Sequence, residues 1–363
     1  PGFRPAVSRE VRSDEGTVEL LFDMEKAEGI KGRVADPHGN PAANVQVAVA
    51  TPSASVSVRN GRELRRRNAV HTETDSEGRF RLPPMLEDKR SFVFVSEHGY
   101  NELTLGELRE NRKVTLQPWA AIEGVLKIGT SPGVHETITV RIADRHQRGA
   151  PRVYHHMETE TDANGQFSLD RVPQADVSIS HQIRLGPRRS GSTQSVRCKL
   201  EPGKTTRVEM GGKGRPVTGP LVVPEGCGRD INLNLSYGSL RTKIDIPDMR
   251  DHLPENWQSM TDEKRKAWYE EWQKSDTCKE LRAKQRKFRR KQQHHSFAVN
   301  ADGTFRIEDV TGGEYQLHVR VRKPREGRGC GLGDLVASFE KTVNVPETPG
   351  GRTDTPLQLG ELQ

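Results

Sequence analysis

The chain has 363 residues, a formal net charge of +7, and only 32% apolar and 5% aromatic residues. That length is too great for one ordinary core and favours two to four domains, and the lean composition implies small cores under much exposed surface. The 34 Gly and 22 Pro suit many short strands and turns, and no apolar run is long enough to span a bilayer.

Residues 1–28 open no unit. Thr17-Val18-Glu19-Leu20-Leu21-Phe22 reads as a closing strand of a truncated preceding repeat, left with an unpaired edge. The start on Pro1-Gly2-Phe3, without an initiating Met or a signal peptide, reads as an excised C-terminal portion of a larger protein. From there an internal repeat dominates. Each copy opens on an apolar-x-Gly-x-apolar strand: Ile30-Lys31-Gly32-Arg33-Val34, Ile122-Glu123-Gly124-Val125-Leu126 and Val217-Thr218-Gly219-Pro220-Leu221. Alternation puts the outer apolar residues on one face of the strand. A second signature follows, with Asp75-Ser76-Glu77-Gly78-Arg79-Phe80, Asp162-Ala163-Asn164-Gly165-Gln166-Phe167 and Asn300-Ala301-Asp302-Gly303-Thr304-Phe305. Gly78, Gly165 and Gly303 are structural turn glycines, placed where a hairpin needs a left-handed residue. Later alternating runs include Phe92 to Val95, Val177 to Ile179 and Tyr315 to Val319. The closing strands are Lys113 to Leu116 and Thr206 to Met210, then either Lys341 to Val345 or Leu357 to Leu359.

The expected fold is all-β: three tandem antiparallel β-sandwiches of immunoglobulin-like or transthyretin-like type, at 29–118, 119–212 and 213–363. The third copy is interrupted at about 246–293 by a helical insertion. Ser259-Met260-Thr261-Asp262 reads there as a capping box with Asp in place of Glu. Lys279 to Lys291 has high helix propensity, with a thin apolar stripe at Leu281 and Phe288.

The pattern Gly-x-Val-x-Asp-x-x-Gly-x-Pro at Gly32 to Pro41, followed by Thr-Asp-x-x-Gly-x-Phe at Thr74 to Phe80, resembles carboxypeptidase regulatory-like repeats. These are transthyretin- or prealbumin-like sandwiches related to collagen-adhesin B-type domains. The chain looks most like their tandem versions in large planctomycete proteins, through Val114-Thr115-Leu116-Gln117-Pro118-Trp119 and the segment from Trp257 to Thr277. The second copy departs from the pattern, lacking the Asp-x-x-Gly-x-Pro turn. The resemblance implies a fold and no specific function, because such repeats are appended to peptidases, redoxin domains and others.

No nucleophile–base constellation, phosphate loop or H-E-x-x-H motif occurs, so the expectation is a non-enzyme with no catalytic residue, cofactor or metal. The Asp75 and Asp162 turns offer too few oxygens for calcium. His71, His155-His156 and His294-His295 precede the turns and read as exposed strand ends, since neighbours on a strand point to opposite faces. Cys198, Cys227, Cys278 and Cys330 form no C-x-x-C pair, and their pairing is left open.

The charge is concentrated: residues 261–295 hold twelve Lys or Arg against six Asp or Glu, and the remainder is close to neutral. Lys279, Arg282, Lys284, Arg286, Lys287, Arg289, Arg290 and Lys291 are therefore candidates for contact with a polyanion. Trp257, Trp268, Tyr269, Trp272 and Tyr100 are the candidates for stacking on sugar rings. The leading function is a structural or interaction module, a spacer or partner-presenting array of a bacterial envelope protein, periplasmic or extracellular, engaging a protein or polysaccharide partner. The chain itself is expected to be monomeric. One alternative is a carbohydrate-binding module of the starch-binding-like type. Another is a passive C-terminal region of a peptidase or redoxin parent.

Overall fold

The protein is described from a computed structural model that covers residues 2–85, 89–142, 150–186, 188–223, 231–324 and 333–361. Alternating sequence becomes β1 (Ile30–Ala35), β2 (Gln46–Ala50), β3 (Ser55–Arg59), β4 (Glu63–Arg67), β5 (His71–Glu73), β6 (Arg79–Leu82), β7 (Ser91–Ser96) and β8 (Gly99–Thr104). A short helix α1 (Leu105–Glu110) and β9 (Lys113–Thr115) follow. Thr104 and Glu107 form a reciprocal capping box that starts α1. β1 lies between antiparallel β6 and parallel β9, and a second sheet runs β5-β2-β7-β8. Val34, Phe80, Leu82 and Val114 of the first sheet share one buried cluster with Val47, Val49, Phe92 and Phe94 of the second. Phe80 meets Phe94 edge-on at 5.5 Å.

The chain continues through β10 (Ala120–Ile128), β11 (Ser131–Pro132), β12 (Thr137–Ile142), β13 (Arg152–Glu160), β14 (Gln166–Val172), β15 (Asp176–Gly186), β16 (Arg189–Lys199) and β17 (Thr205–Met210). Here β10 pairs with β14 and β17, and the other strands run β13-β12-β15-β16. The last set is β18 (Arg215–Pro220), β19 (Tyr237–Thr242), α2 (Asp262–Trp272), α3 (Asp276–Lys291), β20 (His294–Ala298), β21 (Thr304–Val310), β22 (Gly313–Lys323), β23 (Asp334–Val345) and β24 (Leu357–Gln358). Its sheets are β21-β18-β24 and β20-β19-β22-β23, closed over Val217, Leu240, Phe297, Phe305, Tyr315 and Val319. Of the two candidate closing strands, Leu357–Gln358 pairs in parallel with β18, while Lys341 to Val345 extends β23 beside β22.

One turn chemistry recurs, and it joins two sheets instead of closing the expected hairpins: β5 pairs with β2 while β6 pairs with β1, and β13/β14 and β20/β21 are likewise in different sheets. Gly78, Gly165 and Gly303 stand at φ 72, 74 and 83. Asp75 Oδ1 accepts from the N–H of Glu77 at 3.0 Å and of Arg79 at 2.8 Å. Asp162 does the same with Asn164 and Gln166, both at 2.8 Å. In the third turn Asp302 takes that part, accepting from Thr304 N–H at 2.9 Å. A carboxylate that satisfies the donors of the turn fixes the point at which the chain crosses from one sheet to the other.

Two compact units result. The first comprises 1–125, 137–179 and 198–209; the second comprises 126–136, 180–197 and 210–363. Within the first unit β3 pairs in parallel with β13, with Val56 opposite Val153 and Val58 opposite His155. The hairpin β3–β4 thus joins the sheet of the following strand set, over a cluster of Ala48, Ala50, Val56, Val58, Val93, Val95 and Val153.

The N-terminal segment departs from the closing strand expected at Thr17 to Phe22. Among its described residues the only pairing is one isolated bridge, Phe3 with Lys26, and Leu21 is 91% exposed. A strand needs a neighbour for its N–H and C=O groups, and none is present there.

Candidate functional site

The excursion between β19 and β20 starts and ends at a pinned pair: Thr242 N–H donates to the Gln293 carbonyl at 3.0 Å, and Gln293 N–H donates to Thr242 Oγ1 at 2.9 Å. The helix cap lies two residues later than expected. Ser259 ends a 3-10 turn, Trp257–Ser259, and Thr261 caps α2 by accepting from Lys264 N–H. On α2, Trp268 and Trp272 are one turn apart and stack at 5.3 Å with 10° between planes. Trp257 meets Trp268 at 5.2 Å and Tyr269 at 5.3 Å, both edge-on, and His252 lies 5.2 Å from Trp272. Arg265 lies over Trp257 at 5.7 Å and donates to the carbonyls of Trp257 and Gln258. The half-buried rings of Trp257, Trp268, Tyr269 and Trp272 form a small core of the excursion, with much of their surface turned to one another.

Tyr100 does not join the sugar-stacking candidates. It is 6% exposed, packed against Trp119 at 5.4 Å and His155 at 5.5 Å, and its hydroxyl bonds Glu102 and His155. A ring enclosed in this way has no free face for a ligand.

On α3 a stripe of Cys278, Leu281, Gln285 and Phe288 is withdrawn from solvent, and Gln285 donates to the Pro247 carbonyl at 2.8 Å. Lys279, Arg282, Lys284, Lys287 and Lys291 are exposed, and Lys279 pairs with Asp276 at 2.8 Å. The side chains of Arg286, Arg289 and Arg290 lie outside the described residues, as do Cys227 and Cys330; Cys198 and Cys278 are free thiols.

The expectation of exposed histidine ends fails at His294-His295. His295, 3% exposed, bonds Thr193 Oγ1 through Nδ1 at 3.0 Å, and burial beside His294 pushes its imidazole down to about 4. His294 is held at about 4 by burial and the nearby Arg241. Asp309, 4% exposed at φ 59, is a second buried polar group that the sequence did not reveal. It accepts from Gly129 N–H at 3.1 Å, from Gln194 Nε2 at 2.5 Å and from the Arg352 guanidinium, while burial pushes its carboxyl up. With its acceptors filled in this way, the group acts as a clasp. Among the described residues no cluster of three or more His, Cys, Asp or Glu side chains could hold a metal ion, and no helix is long and apolar enough to cross a membrane.

One surface was missed. The register of β6-β1-β9 sets Lys31 opposite Arg81, and Arg33 opposite both Arg79 and Lys113, all exposed, with Arg112 adjoining. The signal was present as alternation, in Lys31-Gly32-Arg33 and Arg79-Phe80-Arg81, but the near-neutral average of the region concealed it.

No family model matches the chain, and no curated protein matches it. Among solved structures it is similar to a candidate carbohydrate-binding protein from Pseudomonas aeruginosa, at 16% identity and TM-score 0.19, covering 26% of this chain and 88% of that one. The minor pilin of Streptococcus agalactiae gives 11% identity and TM-score 0.27, over 51% of this chain and 94% of that one. A DUF3823 family protein from Bacteroides uniformis gives 10% identity and TM-score 0.21, over 63% and 100%. Likeness at this level assigns neither family nor function.

Proposed function

We propose that the chain is a non-catalytic interaction module: three tandem copies of one β-sandwich, related to carboxypeptidase regulatory-like repeats, that space or present a binding surface in a bacterial envelope protein. The observation that carries this reading is the recurrence of one strand order, β6-β1-β9, then β14-β10-β17, then β21-β18-β24, with β6, β14 and β21 each entered through a turn whose glycine has positive φ. A scaffold repeated with differing outward residues suits display of surfaces more than assembly of one reaction centre. In this reading α3 contacts a polyanion. Its exposed Arg282, Lys284, Lys287 and Lys291 have no ion pair among the described residues, and charge of one sign on an exposed helix face disfavours the isolated helix. Changing Arg282, Lys284, Lys287 and Lys291 to Gln should lower the salt needed for elution from heparin; elution equal to the parent's would return α3 to plain solvated surface.

A second reading is carbohydrate binding at Trp257, Trp268, Tyr269 and Trp272, supported by the stacked and still partly exposed Trp268–Trp272 pair. Binding to neutral glycans on an array, insensitive to salt, would favour it over the polyanion contact, and a blank array would remove it.

A further inference from the structure

We propose that the outward face of the β6-β1-β9 sheet is a binding groove for an acidic polysaccharide, a site separate from α3 that goes beyond the function proposed above. Lys31 and Arg33 alternate with the core residues of β1, while Arg81 and Lys113 stand beside them on the flanking strands. Neighbouring strands are about 4.8 Å apart and alternate residues of one strand about 6.7 Å apart, so the cations form a close grid. Arg79 is already paired with Asp75 at 2.9 Å and with Glu77. Lys31, Arg33, Arg81, Arg112 and Lys113 have no ion pair among the described residues.

Such a grid opposes folding, because like charges set directly across a sheet repel. The fold does not require it. At the corresponding positions of the second set, Glu123 faces Ser168 and Val125 faces Gln166. In the third, Thr218 faces Arg306, itself paired with Glu308, and Pro220 faces Thr304. A cost carried in one copy and avoided in two points to a ligand that neutralises it.

The shape and the remaining chemistry select the class of ligand. The basic rows line an open groove of about 980 Å³, bordered on another side by Thr72, Glu73 and Glu77. A linear uronic-acid chain offers carboxylates to the cations and hydroxyl donors to the carboxylates of this border. The backbone of DNA carries no hydroxyl to donate to Glu73, and a flat lipid surface does not follow a concave groove. The only aromatic lining residue, Phe80, is 4% exposed, so the groove has no ring on which a nucleobase could stack.

The test is calorimetric titration of the full chain with polygalacturonate oligomers at low and moderate salt. Three proteins are compared: the parent, Lys31→Gln/Arg33→Gln/Arg81→Gln/Lys113→Gln, and the fourfold α3 variant. Parallel arms use neutral dextran, single-stranded DNA, and vesicles of phosphatidylcholine with phosphatidylglycerol. Expected are salt-sensitive binding by the parent and a loss of about tenfold or more in the sheet variant, with the α3 variant within about twofold of the parent. The sheet variant should melt no lower than the parent, since only like charges are removed. No binding by the parent, equal binding by the sheet variant, or a loss confined to the α3 variant would overturn the proposal. Tighter sheet-dependent binding of DNA or vesicles than of polygalacturonate would overturn the assignment to a polysaccharide. Heparin elution of the α3 variant decides the α3 contact separately.

Discussion

Gly78 is a position where one added carbon has two consequences. Its φ of 72 belongs to the left-handed region, and a Cβ there would lie 2.3 Å from the Val34 carbonyl oxygen. That oxygen accepts the Ala42 N–H, so displacing it disturbs the start of the first sandwich as well as the turn. Gly78→Val is expected to destabilise the first unit by on the order of 1–3 kcal/mol, read from thermal melts. An unchanged melt would show that the turn is set by Asp75 alone. His295 gives a second, pH-dependent expectation. Its folded value of about 4 lies below the ordinary 6.5, so above about pH 6.5 the imidazole is neutral in both states and has no effect on the balance. As the pH falls from there towards 4, the unfolded chain takes up the proton and the folded chain does not. Stability is therefore lost across that window, by on the order of 3 kcal/mol for a shift of this size. His295→Gln keeps a partner for Thr193 but does not titrate, so denaturant melts at pH 7 and pH 4.5 should differ less in the variant than in the parent. An equal difference in the two proteins would place the acid sensitivity elsewhere.

At the scale of elements, α2 and α3 hang from the body of their unit by a closed neck. Thr242 and Gln293 already bond each other, so a short Gly-Ser link replacing residues 245–291 need only bridge a gap that the neck holds small. Loop-closure entropy changes slowly with length, and the aromatic cluster packs chiefly on itself. The shortened chain should keep its β-sheet circular dichroism and melt within about 1 kcal/mol of the parent, provided Gln293 is retained for its bonds from Tyr315 and Thr311. A collapse of the melt would show that buried Cys278 and Leu281 contribute to the sandwich core. Local features of this kind were legible in the sequence. Gly78, Gly165 and Gly303 follow their carboxylates or amides at fixed offsets, and alternation about Phe80, Phe167 and Phe305 marks the strands. What was not legible depends on residues far apart in the chain. Lys31, Arg81 and Lys113 become neighbours only once β6, β1 and β9 are in register, and no local pattern announces that Gln194 and Arg352 converge on Asp309. Tyr100, in a run with an exposed strand's polarity, is enclosed because Trp119 and His155 arrive from other elements.

Across the whole molecule, the parallel pairing of β3 with β13 is the feature with the widest reach. Residues Ser55 to Arg59 are tied to Arg152 to His156, so everything from 60 to 151 lies inside a loop closed by that ladder. Tension applied along the chain would enter β3 at its N-terminal end and leave β13 at its C-terminal end. With parallel strands those two pulls slide the strands past each other, loading all the bonds of the ladder together instead of opening them one by one. The first two strand sets would then bear load as a single clamp, and residues 60–151 would stay slack until it sheared. Under tension, that ladder sets the force at which the length stored in residues 60–151 is released.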